Sequence, residues 1–225
     1  YDQAPHAPFP LTVGDTYFIQ KGKEPFKSTY LRVAGGTTWH WLGTAIRFLP
    51  EDFKMKTNFG VGKDWPIQYS DLEAWYTLAE KEIGVSGDNN EDLGSPRSQK
   101  YPMPKIPHTL VDQYLIDKLK GSPFKINHTP QARNSVANDS RPPCCGNASC
   151  IPCCPIQAKY DATVHLNKAI SNGAKFIPNA VAFHINTSED GKISEIQFKR
   201  PDKKIESIKG KLFILAININ NTKNI

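Results

Sequence analysis

All five cysteines of this 225-residue chain lie in one loop, RPPCCGNASCIPCCP, at residues 141–155. Prolines bound the loop at both ends and a glycine divides it. Such a segment is neither a regular helix nor a strand, so it folds around its own thiols or around something the thiols hold. Three chemistries compete. Disulfides leave one of five thiols over, adjacent cysteines do not bridge readily, and a bridge across so short a loop removes little unfolded-state entropy. Structural zinc usually takes two separated ligand pairs. Here the CxxC of Cys150 and Cys153 has no second pair some tens of residues away, and the loop has no histidine. An iron–sulfur cluster takes several thiolates from one tight, glycine- and proline-controlled loop. Cys144, Cys150, Cys154 and Pro155 supply C-x5-C-x3-C-P, although the spacing is not that of bacterial ferredoxins. Spacing ranks the cluster first, zinc second and disulfides third, and excludes none of them.

The rest of the chain is long enough to bury a core. Its 39% hydrophobic and 10% aromatic content is that of a globular protein rather than a disordered one. No apolar run reaches the length of a membrane-spanning helix. The opening YDQAPHAPFP has neither the basic nor the apolar stretch of a signal peptide. It has no initiator Met, as expected of a chain numbered from inside a longer protein. The net charge of +6 is diffuse and heaviest after residue 192. Without an aromatic-interleaved basic motif it reads as solvated strand faces, and no nucleic-acid partner is expected.

Periodicity sets the order of elements. Residues 1–30 are Pro-rich and read as an extended lead-in. Leu72, Trp75, Tyr76, Ala79 and Ile83 follow helical spacing, with Ser70 and Glu73 as a capping box and Gly84 as the stop. Trp75 and Tyr76 are expected in the core, and Asp64 and Trp65 in a loop within reach of a ligand. Val111, Tyr114, Leu115 and Leu119 mark a second helix ended by Gly121, and residues 161–172 a third. The period then becomes two. Val181, Phe183 and Ile185 alternate, Asp190-Gly191 turns the chain, Ile196 and Phe198 continue, and residues 205–208 form a further strand. KLFILA, at 211–216, has the continuous apolar character of a strand buried on both faces. Helices followed by a β-meander and a buried strand predict a mixed α/β or α+β architecture.

Several stretches together resemble a known family. VAGGTTWHW, RFLPEDFKMKTNFGVGKDWPIQYSDLEAWYTLAEKEIGV, PRSQKYPMPKIP and the cysteine loop with its continuation to NAVAFHI are similar to the large flavoprotein subunits of bacterial membrane-bound sugar dehydrogenases. These are glucose–methanol–choline oxidoreductases of the gluconate, sorbitol, fructose and FAD glucose dehydrogenase type. The resemblance runs from about Pro8 to Ala216, and the joint occurrence of GGTTWHW with CCGN-x2-C-x3-C-P carries it.

The resemblance implies an FAD-dependent oxidation of a CH–OH group of a sugar, sugar alcohol or aldonate. Electrons would pass to a three-iron, four-sulfur (3Fe-4S) cluster, then to a multihaem cytochrome c subunit and the quinone pool. A small, exported, chaperone-like subunit would complete a complex on the periplasmic face of the inner membrane. By the family pattern Cys144, Cys150 and Cys154 are the cluster ligands, Cys145 is a further family cysteine, and Cys153 is extra. Gly35 and Gly36 remove two Cβ atoms where a flat ring must approach, and Thr37 and Thr38 offer hydroxyl and N–H groups. His40, between Trp39 and Trp41, matches the histidine that carries FAD covalently in several relatives, and otherwise reads as a histidine in an aromatic core. Ala180 and Val181 match the segment whose backbone meets the adenine.

The family's GxGxxG unit is not in this sequence, nor is its C-terminal catalytic histidine, and ININNTKNI departs from the family after Ala216. The expectation is therefore the middle of such an enzyme, with little activity alone and no catalytic residue among His108, His128, His165 and His184, each expected on the surface or on a strand face. The expected segments are a lead-in and flavin-contacting part at 1–60, a helical substrate-side part at 61–140, the iron–sulfur loop at 141–160, and a helix, meander and strand of the FAD-binding domain at 161–225. The rival readings are a non-catalytic, zinc-stabilised binding module and a degenerate fragment.

Overall fold

The computed structural model describes residues 33–151 and 153–216. The Pro-rich lead-in and the final ININNTKNI fall outside them. Helices and strands are mixed, as the periodicity predicts. The chain divides into two compact units, the first ending at Asn167 and the second beginning at Lys168.

In the first unit α1 (Met55–Phe59), α2 (Tyr69–Ile83) and α3 (Leu110–Lys118) are joined by long loops and by a short parallel pair, β1 (Ser86–Gly87) with β2 (Met103–Pro104). The cap of helix α2 lies two residues before the expected one. The Asp71 carboxylate accepts a 2.8 Å hydrogen bond from the Gln68 amide, so the first turn closes around Gln68 rather than Ser70. The stop is as expected: Gly84 takes a left-handed φ of 74°, and its amide bonds back to the Glu80 carbonyl. Helix α3 carries the reciprocal box of Thr109 and Asp112, a T-x-x-D signal that is legible in the sequence.

The core is small. Val85, Ala132 and Tyr160 are buried, with Trp41, Ala45, Ile83, Tyr101 and Val164 packed around them. A second apolar centre surrounds Phe53, which meets Phe48, Trp65 and Tyr69 edge to face. Trp75 is exposed instead of core, because α2 buries its opposite, charged face. There Glu80 is buried under Arg47 and Arg97. Tyr76 stacks on Tyr69 beside Arg47.

Arg47 donates to Glu80 through Nε and Nη2, to Glu73 and Tyr69 through Nη1, and to Thr77 through Nη2. Glu73, expected to cap the helix, serves this network instead. Hydrogen bonds from the Ser98 hydroxyl and amide, with Arg47 behind them, hold its carboxyl at about 2. Burial pushes the Glu80 carboxyl up, but the hydrogen bonds from Arg97 and Arg47 outweigh it and leave it below the ordinary range. Both folded values are depressed, so the network's stabilisation is complete above the ordinary glutamate value of 4.5 and is lost as pH falls toward about 2. Denaturant midpoints measured from neutral pH downward should hold above 4.5 and decline below it. A midpoint indifferent to this range would remove the network from the chain's stability.

Helix α4 (Thr163–Ser171) runs across the boundary between the units. The second unit contains an antiparallel meander of β3 (Val181–Thr187), β4 (Ile193–Lys199) and β5 (Ile205–Ile208), in the order β3-β4-β5. The pairing slips between Ala182 and His184, so alternation across β3 is interrupted at Phe183. KLFILA differs from expectation. Residues 211–216 form no strand, and Leu212 and Ile214 are about four-fifths exposed. A continuous apolar run makes a buried strand only where a ladder and two covering layers receive it, and among the described residues none does.

Candidate functional site

The GGTTWHW segment folds as a tight turn. Gly36–Trp39 form a single 3-10 turn, entered through Gly35 at a left-handed φ of 87°. Trp39 Nε1 donates to the Ala34 carbonyl at 2.8 Å. A Cβ on Gly35 would lie 2.8 Å from Trp39 Nε1 and 2.9 Å from the Thr163 methyl, whereas one on Gly36 would meet nothing within 4 Å. Gly35 is thus required by the turn itself, and Gly36 leaves open space. Gly35→Ala should cost about 2 kcal/mol through strained φ and these contacts. Gly36→Ala should cost less, since φ alone opposes it. Thermal unfolding of the two variants checks the ranking, and an equal loss would mean that packing at Gly35 is irrelevant.

Thr38 faces inward. Its hydroxyl donates to the Gly35 carbonyl and accepts the Ala162 amide at 2.9 Å, while Thr37 is exposed. His40 and Trp41 are half-buried. Trp41 Nε1 donates to the Tyr160 carbonyl at 2.7 Å, and the two rings meet edge to face.

The residue that joins this turn to the cysteine loop is Lys159, which is 2% exposed. Its Nζ donates to the carbonyls of Trp39 (2.7 Å), Trp41 (2.6 Å) and Cys150 (3.1 Å). One ammonium therefore saturates its three donors on the carbonyls that flank His40 and on the backbone of Cys150. Burial draws the Lys159 pKa below the usual lysine range, against the opposing pull of Cys150, Cys154 and Asp161. The strand-like contacts beneath continue the connection. Tyr160 N bonds Ala132 O, Ala132 N bonds Gly43 O, and Asn134 N bonds Ala158 O.

Cys150 and Cys154 are buried, Cys144 and Cys153 half-buried, and Cys145 exposed. The Cys144 amide bonds the Asn134 carbonyl at 2.8 Å, and the Asn134 side chain, fully buried, gathers the carbonyls of Asn138 and Arg141. Arg133 Nη1 donates to Cys150 Sγ and the Gly146 amide to Cys144 Sγ, each at 3.4 Å. All five cysteines are free thiols, so the disulfide alternative is not realised here. Among the described residues the sulfurs make no three-atom group as tight as a single ion requires. A lone zinc holds thiolates about 3.8 Å apart, whereas a cluster several atoms wide spreads them. Three cysteines with N–H donors aimed at two of their sulfurs have the donor chemistry of an iron–sulfur group.

Ala180 and Val181 lie at the start of β3 in the second unit. Asp64 holds the Thr57 amide and hydroxyl, which lowers its pKa, and Trp65 packs on Phe48 and Phe53. His165 meets Tyr160 and Glu82, and His184 is on an exposed strand face. His128 differs from expectation. It is buried, because the Glu91 carboxylate accepts both its amide (2.7 Å) and its Nδ1 (3.0 Å). Lys159, Arg133 and Asn134 escaped sequence reasoning. The one available signal was a lysine between Ala158 and Tyr160, an apolar setting unusual for an exposed side chain.

No protein-family model matches the chain. It is 39% identical over 223 residues to the fructose dehydrogenase large subunit of Gluconobacter japonicus, across 97% of this chain and 41% of that subunit. It is 24% identical over 199 residues to 6'''-hydroxyparomomycin C oxidase of Streptomyces lividus, across 82% of this chain and 35% of the oxidase. A 65-residue stretch is 37% identical to 2-methyl-1,2-propanediol dehydrogenase of Mycolicibacterium austroafricanum, across 28% of this chain and 12% of the dehydrogenase. The chain thus spans less than half the length of the curated relatives it matches. The match over 97% of its residues makes the chain similar to part of a sugar-dehydrogenase large subunit of glucose–methanol–choline type.

Proposed function

We propose that the chain forms the flavin-facing turn and the iron–sulfur loop of an FAD-dependent dehydrogenase that oxidises a CH–OH carbon of a sugar, sugar alcohol or aldonate. The relatives' names, dehydrogenases and oxidases of sugar-like or alcohol substrates, support the reaction class. The observation that carries the reading is Lys159, whose three hydrogen bonds tie the residues flanking His40 to Cys150. Two redox groups exchange electrons efficiently only at short range, and this lysine holds their two proposed seats together.

When bound, the flavin would supply hydride acceptance and the cluster one-electron transport. The chain's own residues supply placement. Gly35 and Gly36 shape the turn against the ring, with Thr37 and Trp41 beside it, and His40 is the attachment point. Thr38, through the Ala162 amide, locks the turn to the segment that leads into α4. Cys144, Cys150 and Cys154 are the cluster ligands, with Cys145 next to them, and the Ala180 and Val181 backbone contacts the adenine. Arg133 donates to Cys150 Sγ; a cationic donor on a ligand sulfur raises a cluster's reduction potential.

In the same reading a small chaperone-like subunit and a multihaem cytochrome c subunit are the partners, the quinone pool takes the electrons, and the complex faces the periplasm. No helix among the described residues is long and apolar enough to cross a membrane. The GxGxxG grip on the pyrophosphate and the base that takes the hydroxyl proton are not among these 225 residues, so the chain alone is expected to turn over little substrate.

The test is anaerobic reconstitution of the chain with iron, sulfide and FAD. Stoichiometric iron and acid-labile sulfide, both lost in Cys150→Ser, together with a denaturation-resistant flavin lost in His40→Ala, are the expected results. A colourless protein that holds zinc on its cysteines would replace this reading with the binding-module alternative.

A further inference from the structure

Away from the cysteine loop, a second set of metal-ligating side chains converges. Glu91, His108 and His128 come from three separate segments: the loop after β1, the residue before the α3 cap, and the stretch leading to Gln131. One donor atom from each lies within 4.8 Å of the other two. His128 Nδ1 is 3.0 Å from Glu91 Oε1, and the two imidazoles face one another with centroids 3.4 Å apart and planes inclined at 33°. Donors about 2 Å from a tetrahedral ion stand about 3.3 Å from each other. The set is therefore within a small side-chain adjustment of coordination geometry, and the inclined rings already converge toward one edge.

A stacked histidine pair beside a carboxylate also occurs as simple packing, so the surroundings decide. His128 is buried, and its Nε2 has no hydrogen-bond partner among the described residues. The His128 amide donates to Glu91 Oε2 at 2.7 Å, which holds the carboxylate beside the ring. Asp88 Oδ2 stands 3.8 Å from His128 Nδ1 and is itself held by Lys105 at 2.6 Å; Asp112 Oδ2 stands 4.0 Å from His108 Nδ1. Both carboxylate–imidazole separations are longer than a hydrogen bond; the two carboxylates act as negative charge beside the imidazoles, which favours a cation there. A cavity of about 320 Å3, lined by His108, His128, Asp112 and Gln131 among others, provides an entry path.

We propose that Glu91, His108 and His128 bind one divalent transition-metal ion of the zinc type, independently of the cysteine loop. Two imidazole nitrogens and one carboxylate oxygen are borderline donors. They suit zinc or cobalt, whereas calcium and magnesium take oxygen alone. Three protein ligands leave the fourth position of a tetrahedral ion open.

The experiment titrates the chelator-treated full chain with Co2+ and follows visible absorption. The expected result is one equivalent with the ligand-field bands of tetrahedral nitrogen and oxygen coordination, without the intense near-ultraviolet band of cobalt–thiolate bonds. His128→Gln should weaken this binding at least tenfold, and Zn2+ should raise the melting temperature of the parent but not of the variant. If His128→Gln fails to fold by circular dichroism, Glu91→Gln and His108→Asn carry the same expectation from more exposed positions. Cobalt binding that is absent, that appears solely with thiolate bands, or that survives these substitutions overturns the proposal.

Discussion

Replacing Glu80 with alanine is expected to destabilise the first unit by about 3–5 kcal/mol, a large share of the total stability of a domain. Glu80 lies on the buried face of α2 and receives two guanidinium forks. Arg47 binds it through Nε (2.8 Å) and Nη2 (3.0 Å), and Arg97 through Nη1 (2.9 Å) and Nη2 (2.6 Å). The Arg47 side chain is 3% exposed, so without the carboxylate its charge would remain out of water with Glu73 as its remaining ionic partner. The cost is that of stranding a charge, not the net worth of the pair. Three further variants, Arg47→Met, Glu80→Leu and their double, compared with the parent, separate these. Arg47→Met combined with Glu80→Leu should lose much less than the sum of the single changes, because removing both charges removes the desolvation penalty as well. Urea unfolding of the four proteins gives the coupling. A Glu80→Ala loss below about 1 kcal/mol, the level of an exposed pair, would show that the network is not buried.

Lys159→Met is the second large effect, expected at about 3 kcal/mol. Methionine fills similar volume and removes the charge, but leaves the carbonyls of Trp39, Trp41 and Cys150 facing one another without a donor. Hydrogen bonds from a charged donor contribute about 1.5–3 kcal/mol each, and burial of the freed carbonyls offsets any gain from burying a neutral side chain. The consequence is two-sided. Backbone amide exchange should quicken at His40 and Trp41, whose amides bond the Thr37 carbonyl, and also at Tyr160, which bonds Ala132. It should change little in the β3–β5 meander of the second unit. Faster exchange on one side alone would mean that the lysine does not link the turn to the loop.

Much of the secondary structure was readable in advance. Gly84 ends α2 as expected, α3 stops at its Leu119 cap two residues before the expected Gly121, and the alternation at 181–198 becomes the meander. The errors share a cause. Ser70 and Glu73 spelled a capping box, yet Asp71 reaches Gln68 first and Glu73 is claimed by Arg47 and Ser98. KLFILA spelled a buried strand, yet a strand needs neighbours that an apolar run does not specify. Trp75 and His128 exchanged their expected environments, one exposed and one buried, since helical spacing marks a face without saying whether apolar or charged residues will be covered.

The residues proposed to hold a redox group were recognisable as types and spacings: thiols in one proline-bounded loop, a glycine pair before an aromatic-flanked histidine. Those are short-range properties, carried by backbone preferences and by the chemistry of neighbouring side chains. The lysine contact that joins the turn to the loop was not recognisable, because it spans 120 residues. The same holds for Glu91, His108 and His128, brought together from three loops. Long-range pairs form only when packing removes water from both partners, and this selection acts on the folded chain rather than on any stretch of its residues.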